Sequence, residues 1–158
     1  AVLDEGNGEL IVCFCIHLKS NLNWSNSYTE EQRNIYKRES SSYMILRKLS
    51  QFQSKYPSFN LRVLVAGDFN TNEDNPAFVS EGTLRSFYGA HFRSCFTGLG
   101  KSERGTCPGN GRYDPATFDY ILFRGFDKIV DRVIVDGSSI SDHNPVLVLL
   151  SSSRKKNK

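Results

Sequence analysis

The sequence predicts an α/β protein, and three observations carry that prediction. Five short segments are apolar enough to be strands, at 10–16, 61–66, 117–123, 128–135 and 146–150, while 29–56 repeats its apolar residues at helical spacing. Between the second and third strands, the stretch 97–115 is crowded with Gly and Pro and reads as a long loop. Composition agrees. An apolar share of 39% and 12 glycines in 158 residues lie near the globular norm and exclude a disordered or collagenous chain.

Taken in order, Glu9–His17 is apolar at every position from Leu10 to Ile16, the pattern of a central strand covered on both faces, with His17 at its polar exit. That run is far shorter than the roughly 20 residues a membrane span needs, and no basic-then-apolar leader precedes it. After an Asn- and Ser-rich loop at 20–28, Thr29 with Gln32 three residues later matches a capping box. Ile35, Ser42, Ile45, Leu46, Leu49, Phe52 and Tyr56 then share one helical face until Pro57 ends the helix. The strand at 61–66 runs straight into Gly67-Asp68-Phe69-Asn70. Residues 71–96 predict a loop with short helices near 77–79 and 84–88. Loops as long as 97–115 often carry function. The last three strands are separated by Gly125 and a turn at 136–139. With no repeat or linker, residues 1–150 are expected to form one unit and 151–158 a solvated basic tail.

The net charge is +3, but Arg154, Lys155, Lys156 and Lys158 supply four of the cations, which leaves 16 Lys and Arg against 17 Asp and Glu in the body. The body therefore lacks the basic footprint of a tight nucleic-acid binder. Four cysteines are too few for a disulfide scaffold, and none shows zinc-site spacing. Cys13 and Cys15 are expected as small buried hydrophobes; Cys95 and Cys107 flank the polar loop and either bridge or stay free. Five strands and one long helix leave one sheet face without cover, so that face calls for a second sheet or another subunit. A chain that opens on Ala1, with Met44 its only methionine, is expected to be a piece of a longer protein.

Four polar clusters stand at or beside strand ends, His17, Asp68 with Asn70, Asp119, and Asp142 with His143, except that Asp119 lies inside its strand. Singly, each reads as turn chemistry or a strand cap. Together, carboxylates, an amide and imidazoles are the groups that metal-assisted phosphate chemistry uses, because hard divalent cations take oxygen ligands and N–H donors offset charge on phosphoryl oxygens. Asp119, flanked by Phe118 and Tyr120, needs a partner to offset its burial. Trp24 and Tyr28 read as loop packing or as a stacking surface for a base. His91 reads as a surface residue. Arg104, Arg112 and Tyr113 are candidates for the rim of a cleft, with Arg112 the substrate-phosphate contact.

Val63-Leu64-Val65-Ala66-Gly67-Asp68-Phe69-Asn70, Phe118-Asp119-Tyr120-Ile121-Leu122 and Ser141-Asp142-His143-Asn144-Pro145-Val146 resemble three successive signatures of the endonuclease/exonuclease/phosphatase superfamily. Ile16-His17-Leu18-Lys19-Ser20 resembles the histidine-bearing strand end that precedes them. The resemblance implies half of a four-layer α/β/β/α sandwich like that of deoxyribonuclease I, with a mixed or mostly antiparallel sheet and one long covering helix. The N-terminal half, with its metal-binding glutamate, would be a partner not contained in this chain. Nothing before His17 fits that glutamate motif: Asp4, Glu5 and Glu9 lie too close to the first strand. The implied activity is Mg²⁺- or Mn²⁺-dependent hydrolysis of a phosphodiester, with nucleic acid the first substrate expectation and a phospholipid or phosphoinositide the second. A non-catalytic fragment acting as a binding module is the alternative. Asp68 would orient or deprotonate water, and Asn70 would hold the scissile phosphate. Asp119 would fix a histidine, and His143 would stabilise phosphoryl charge. His17 would serve as a second imidazole or general acid. Asp68, Asn70 and Asp142 would hold the ion.

Overall fold

The computed structural model describes residues 1–6, 8–109, 113–137 and 139–152. Its strands are β1 (Val2–Gly6), β2 (Glu9–His17), β3 (Asn60–Asp68), β4 (Arg93–Ser94), β5 (Asp119–Arg124), β6 (Lys128–Ile134) and β7 (Val146–Ser151); its α-helices are α1 (Tyr28–Lys55) and α2 (Thr83–Gly89). Most of the basic tail and Arg112 fall outside the described residues, and Ser151 belongs to β7 rather than to the tail.

The sheet is mixed, in the order β1-β2-β3-β5-β4, and a second sheet consists of β6 and β7 alone. β2 and β3 run parallel, as strands joined by a helical crossover must, while β5 pairs antiparallel to β3. The single five-stranded sheet expected from the sequence is thus corrected, because two of its strands leave to pair with each other. Their places are taken by β1, polar at Asp4 and Glu5, and by the two-residue β4. Neither segment is long or apolar enough to read as a strand.

One sheet face carries the core. Val12, Val63, Val65, Tyr120 and Leu122 pack with Leu49 of α1, Leu84 and Phe87 of α2, and Phe69, Phe92 and Phe96. Phe69 meets Phe87 and Tyr120 edge-on, with centroids 5.8 and 5.5 Å away, the arrangement that ring quadrupoles favour. On the opposite face Ile11, Cys13, Leu64, Ala66 and Ile121 are half-buried and Cys15 is exposed. This corrects two expectations. β2 is apolar on both sides but covered on one, and Cys15 is not a core residue. All four cysteines are free, with Cys95 buried.

Helix α1 is capped two residues before the expected position. Ser27 Oγ, rather than Thr29, accepts from the Glu30 amide at 3.2 Å, and the Glu30 carboxylate accepts from the Ser25 amide instead of closing a box on Ser27. The helix ends at Tyr56, ahead of Pro57, as the sequence predicts. Its buried stripe includes Arg38, which apolar periodicity overlooks. Arg38 Nε donates to Glu81 at 2.8 Å and its Nη1 donates to the Lys19 carbonyl at 3.2 Å, while Thr83 donates to the same Glu81 carboxylate. The pair ties α1 to the segment before α2 and to the chain just past His17. Breaking a buried pair strands the surviving charge, whereas replacing both partners removes the problem. Glu81→Leu should therefore cost about 3–5 kcal/mol in urea unfolding. Arg38→Met/Glu81→Leu should cost clearly less than Glu81→Leu alone.

Candidate active site

Register builds the centre of the site. His17, the last residue of β2, pairs with Asp68, the last of β3, and Asp68 pairs with Asp119, the first of β5. Directly opposed residues on neighbouring strands share a face, so the three side chains stand in one row on the less covered face of the sheet. Asp119 opens its strand rather than sitting inside one. The row requires a close approach. Gly67 has φ +137°, and a Cβ there would lie 1.9 Å from the Ile16 carbonyl oxygen. Only glycine permits that backbone.

Beyond Gly67 the chain is fastened on both sides. The Leu18 amide donates to the Asp68 carbonyl at 2.9 Å, and the Phe69 amide to the Phe118 carbonyl at 2.8 Å. Asn70, at φ +51°, turns back so that its amide N–H reaches Asp68 Oδ1 at 2.7 Å. Its Nδ2 donates to Asp68 Oδ2 at 2.8 Å and to the Leu18 carbonyl at 3.2 Å. Both side-chain hydrogens are spent inside the protein, which alters the expected contact of Asn70 with phosphate. The carbonyl Oδ1 is the atom left to offer a ligand.

His143 enters from the turn before β7. Its Nδ1 lies 2.7 Å from Asp119 Oδ2, so Asp119 has the partner its position demands. His17 Nε2 lies 3.6 Å from Asp68 Oδ2, with the imidazole 78% exposed. Two imidazole–carboxylate pairs therefore stand side by side. Ligand atoms of Asp68, Asp119 and His143 all lie within 4.8 Å of one another, a group able to hold a metal ion. Asp142 is exposed beside His143 and is not a member of that group.

The electrostatics follow from this packing. Burial is the largest influence on Asp68 and raises its pKa; the Asn70 amide opposes the rise, Asp119 adds to it, and both histidines oppose it. The net direction is upward. For His143 burial acts first and lowers the pKa, but the hydrogen bond and charge of Asp119, with the charges of Asp68 and Asp142, outweigh it and raise the pKa. His143 thus keeps its proton to higher pH than a free imidazole. Protonation that favours the folded pair is fully present at low pH and fades as pH rises through the raised value.

One residue that sequence reading missed joins the two halves of the cluster. Thr106 is fully buried in the Gly-rich loop. Its Oγ1 accepts from the Phe118 and Asp119 amides at 3.0 and 3.1 Å, and its carbonyl accepts from the Asn144 amide at 2.6 Å. Asn144 in turn accepts from Gly137 at 2.9 Å and shapes the turn that carries His143. Thr106 is one of two threonines in the breaker-rich loop, with Thr97, and its local sequence gives no signal of these partners. Other candidates fall away from the cluster. Arg104 is committed to Glu73 at 2.9 Å and to Asp74 at 2.5 Å. Glu5 and Glu9 bind Arg62 at the opposite end of β2. His91 is exposed, and so are Trp24 and Tyr28, which do not pack as loop anchors. Arg112 lies outside the described residues.

The ends of three adjacent strands and the turn before β7 thus bring carboxylates and imidazoles together as a candidate active site. Residues 16–143, most of the chain, match the model of the Endonuclease/Exonuclease/phosphatase family, and the chain belongs to that family. A comparison with curated proteins finds no match. The family consists generally of hydrolytic enzymes and commonly uses divalent metals.

The Asp119–His143 pair should be visible by NMR titration of the His143 ring. Asp119→Asn should move its midpoint down, since the charge that holds the proton is gone. Thr106→Val should move it the same way and cost about 2 kcal/mol or more by leaving two buried amides without an acceptor, whereas Thr106→Ser should restore both.

Proposed function

We propose that the protein hydrolyses phosphodiesters, with nucleic acid the first substrate class, through the row His17–Asp68–Asp119 and the adjoining His143. The observation that carries this reading is geometric: ligand atoms of Asp68, Asp119 and His143 lie within 4.8 Å of one another, with the His143 imidazole held 2.7 Å from Asp119. Asp68 orients and deprotonates the attacking water, and burial, which raises its pKa, makes it a readier proton acceptor. His143, held in one orientation by Asp119, offers its outer nitrogen to the phosphoryl oxygen on which charge accumulates. His17, exposed at the edge, protonates the leaving oxygen.

The donor set suits a small hard cation: the Asp68 carboxylate and the Asn70 carbonyl oxygen are hard donors on one turn, and Asp142 stands in the facing turn. Mg²⁺ or Mn²⁺ held there would supply electrophilic charge to the phosphate. Purified protein should turn over bis-p-nitrophenyl phosphate only with added Mg²⁺ or Mn²⁺. Asp68→Asn and His143→Ala should each lower kcat at least about 100-fold, as loss of a general base or of a transition-state charge does. Plasmid DNA compared with sphingomyelin and phosphoinositide vesicles identifies the substrate. Metal-independent turnover, or turnover that survives Asp68→Asn, overturns the reading.

We also propose that residues 1–150 are the C-terminal half of a catalytic domain whose other half brings a sheet and a metal-binding glutamate. Two features support this. The sheet face bearing Cys15, Leu64, Ala66 and Ile121 is incompletely covered, and no glutamate joins the cluster among the described residues. Exposed apolar area of that kind favours association. A second reading, a non-catalytic binding module, rests on the same two features. Cys15 discriminates the occupancy of this face: it should react rapidly with a thiol reagent in the isolated chain and slowly once the remainder of the domain is supplied. Restored phosphodiester turnover on that addition favours the enzyme, and protection without turnover favours the module.

A further inference from the structure

The outer face of α1 is unlike the rest of the surface. Exposed cations stand at Arg33, Lys37, Arg47, Lys48 and Lys55, five of the sixteen in the chain before the tail, in a body that carries 17 acids. From 33 to 55 the helix has one acid, Glu39, and its carboxylate is held by the Gly82 amide at 2.6 Å. Arg33 lies 3.9 Å from Glu30, and among the described residues no carboxylate pairs with Lys37, Arg47, Lys48 or Lys55. Interleaved with these cations are Tyr36, Tyr43 and Met44, which are 70%, 64% and 55% exposed. At 100° per residue Tyr36, Tyr43 and Arg47 fall on one line, with Arg33 and Met44 beside it, opposite the buried Arg38, Ser42 and Leu49.

Three properties narrow the partner. The five cations extend over about 33 Å at 1.5 Å rise per residue and lie within an arc of roughly 100° around the helix, so a plane can approach all of them together. Tyrosine and methionine among lysines and arginines is the composition of a helix that lies at a lipid headgroup layer. The strip also faces away from the candidate active site, because α1 covers the sheet face opposite the row His17–Asp68–Asp119. A polymer bound along it would not lead into that cluster.

We propose that the outer face of α1 docks the protein on an anionic phospholipid surface, with the aromatic rings at headgroup depth and the candidate active site open to the aqueous side. The inference is independent of the phosphodiesterase reading, since it uses none of those residues. Co-sedimentation with vesicles of phosphatidylcholine containing 30% phosphatidylserine, compared with pure phosphatidylcholine, tests it. The chain is used both intact and ended at Ser152, which removes the basic tail. Binding should require phosphatidylserine, weaken with salt, and fall at least about tenfold in Lys37→Glu/Arg47→Glu/Lys48→Glu, since each cation near such a surface contributes about a fivefold factor. Tyr36→Ser/Tyr43→Ser should weaken binding while leaving its dependence on phosphatidylserine. All five positions are exposed, and circular dichroism checks that the variants remain folded. Equal binding to neutral vesicles, unchanged binding by the charge-reversed helix, or loss on removing the tail alone overturns the proposal. So does capture of single-stranded or duplex oligonucleotides through Lys37, Arg47 and Lys48 without vesicle binding.

Discussion

The candidate active site depends on how closely β2 and β3 approach at Ile16 and Gly67. A side chain at Gly67 would occupy the same space as the Ile16 carbonyl oxygen, so the absence of a Cβ lets the two strands end in register. Register then does the rest. It sets His17 beside Asp68 and Asp68 beside Asp119. A slip of one residue would turn all three toward the core, where the cost of desolvating two carboxylates would oppose folding. The hydrophobic alternation of β2, β3 and β5 is therefore also what aims the polar row.

Such a row concentrates like charge, and its surroundings show how that is tolerated. Asp68 and Asp119 repel one another, and each carries its own relief: two N–H donors of Asn70 and nearby His17 for Asp68, His143 and the anchored backbone around Thr106 for Asp119. The two carboxylates are not equivalent. Asp68 has burial as its dominant influence, which raises its pKa, while Asp119 is hydrogen-bonded to the His143 imidazole.

Much of this was legible before the fold was known, and what was not has physical causes. Strands β2, β3, β5, β6 and β7 were legible as short segments rich in apolar and β-branched residues bounded by polar or Gly- and Pro-bearing turns. His17, Asp68, Asp119 and His143 were legible as polar residues in or beside those segments. β1 and β4 were not, since one is polar at its centre and the other is two residues long, and both are strands only because a neighbour offers hydrogen bonds. The division into two sheets was equally hidden: nothing in the composition of β6 or β7 states which edge it joins. Thr106 and Arg38 belong to a third class. Their importance lies in partners 12 to 43 residues away, a separation at which local pattern carries no information.

Arg38 also shows how one helix separates two tasks. It points inward, where its guanidinium meets Glu81 and the Lys19 carbonyl and thereby steadies the segment that leaves His17. Lys37, one residue earlier, points outward, because consecutive helical residues diverge by about 100°. The inward face answers to the geometry of the candidate site, so its tolerance is that of a buried ion pair. On the outward face Arg33 reaches Glu30 and Lys55 lies over the Tyr56 ring, but no carboxylate pairs with Lys37, Arg47 or Lys48 among the described residues, so the loss of those three cations would leave stability nearly unchanged. Charge that holds nothing in place within α1 is free to act on what lies outside the protein.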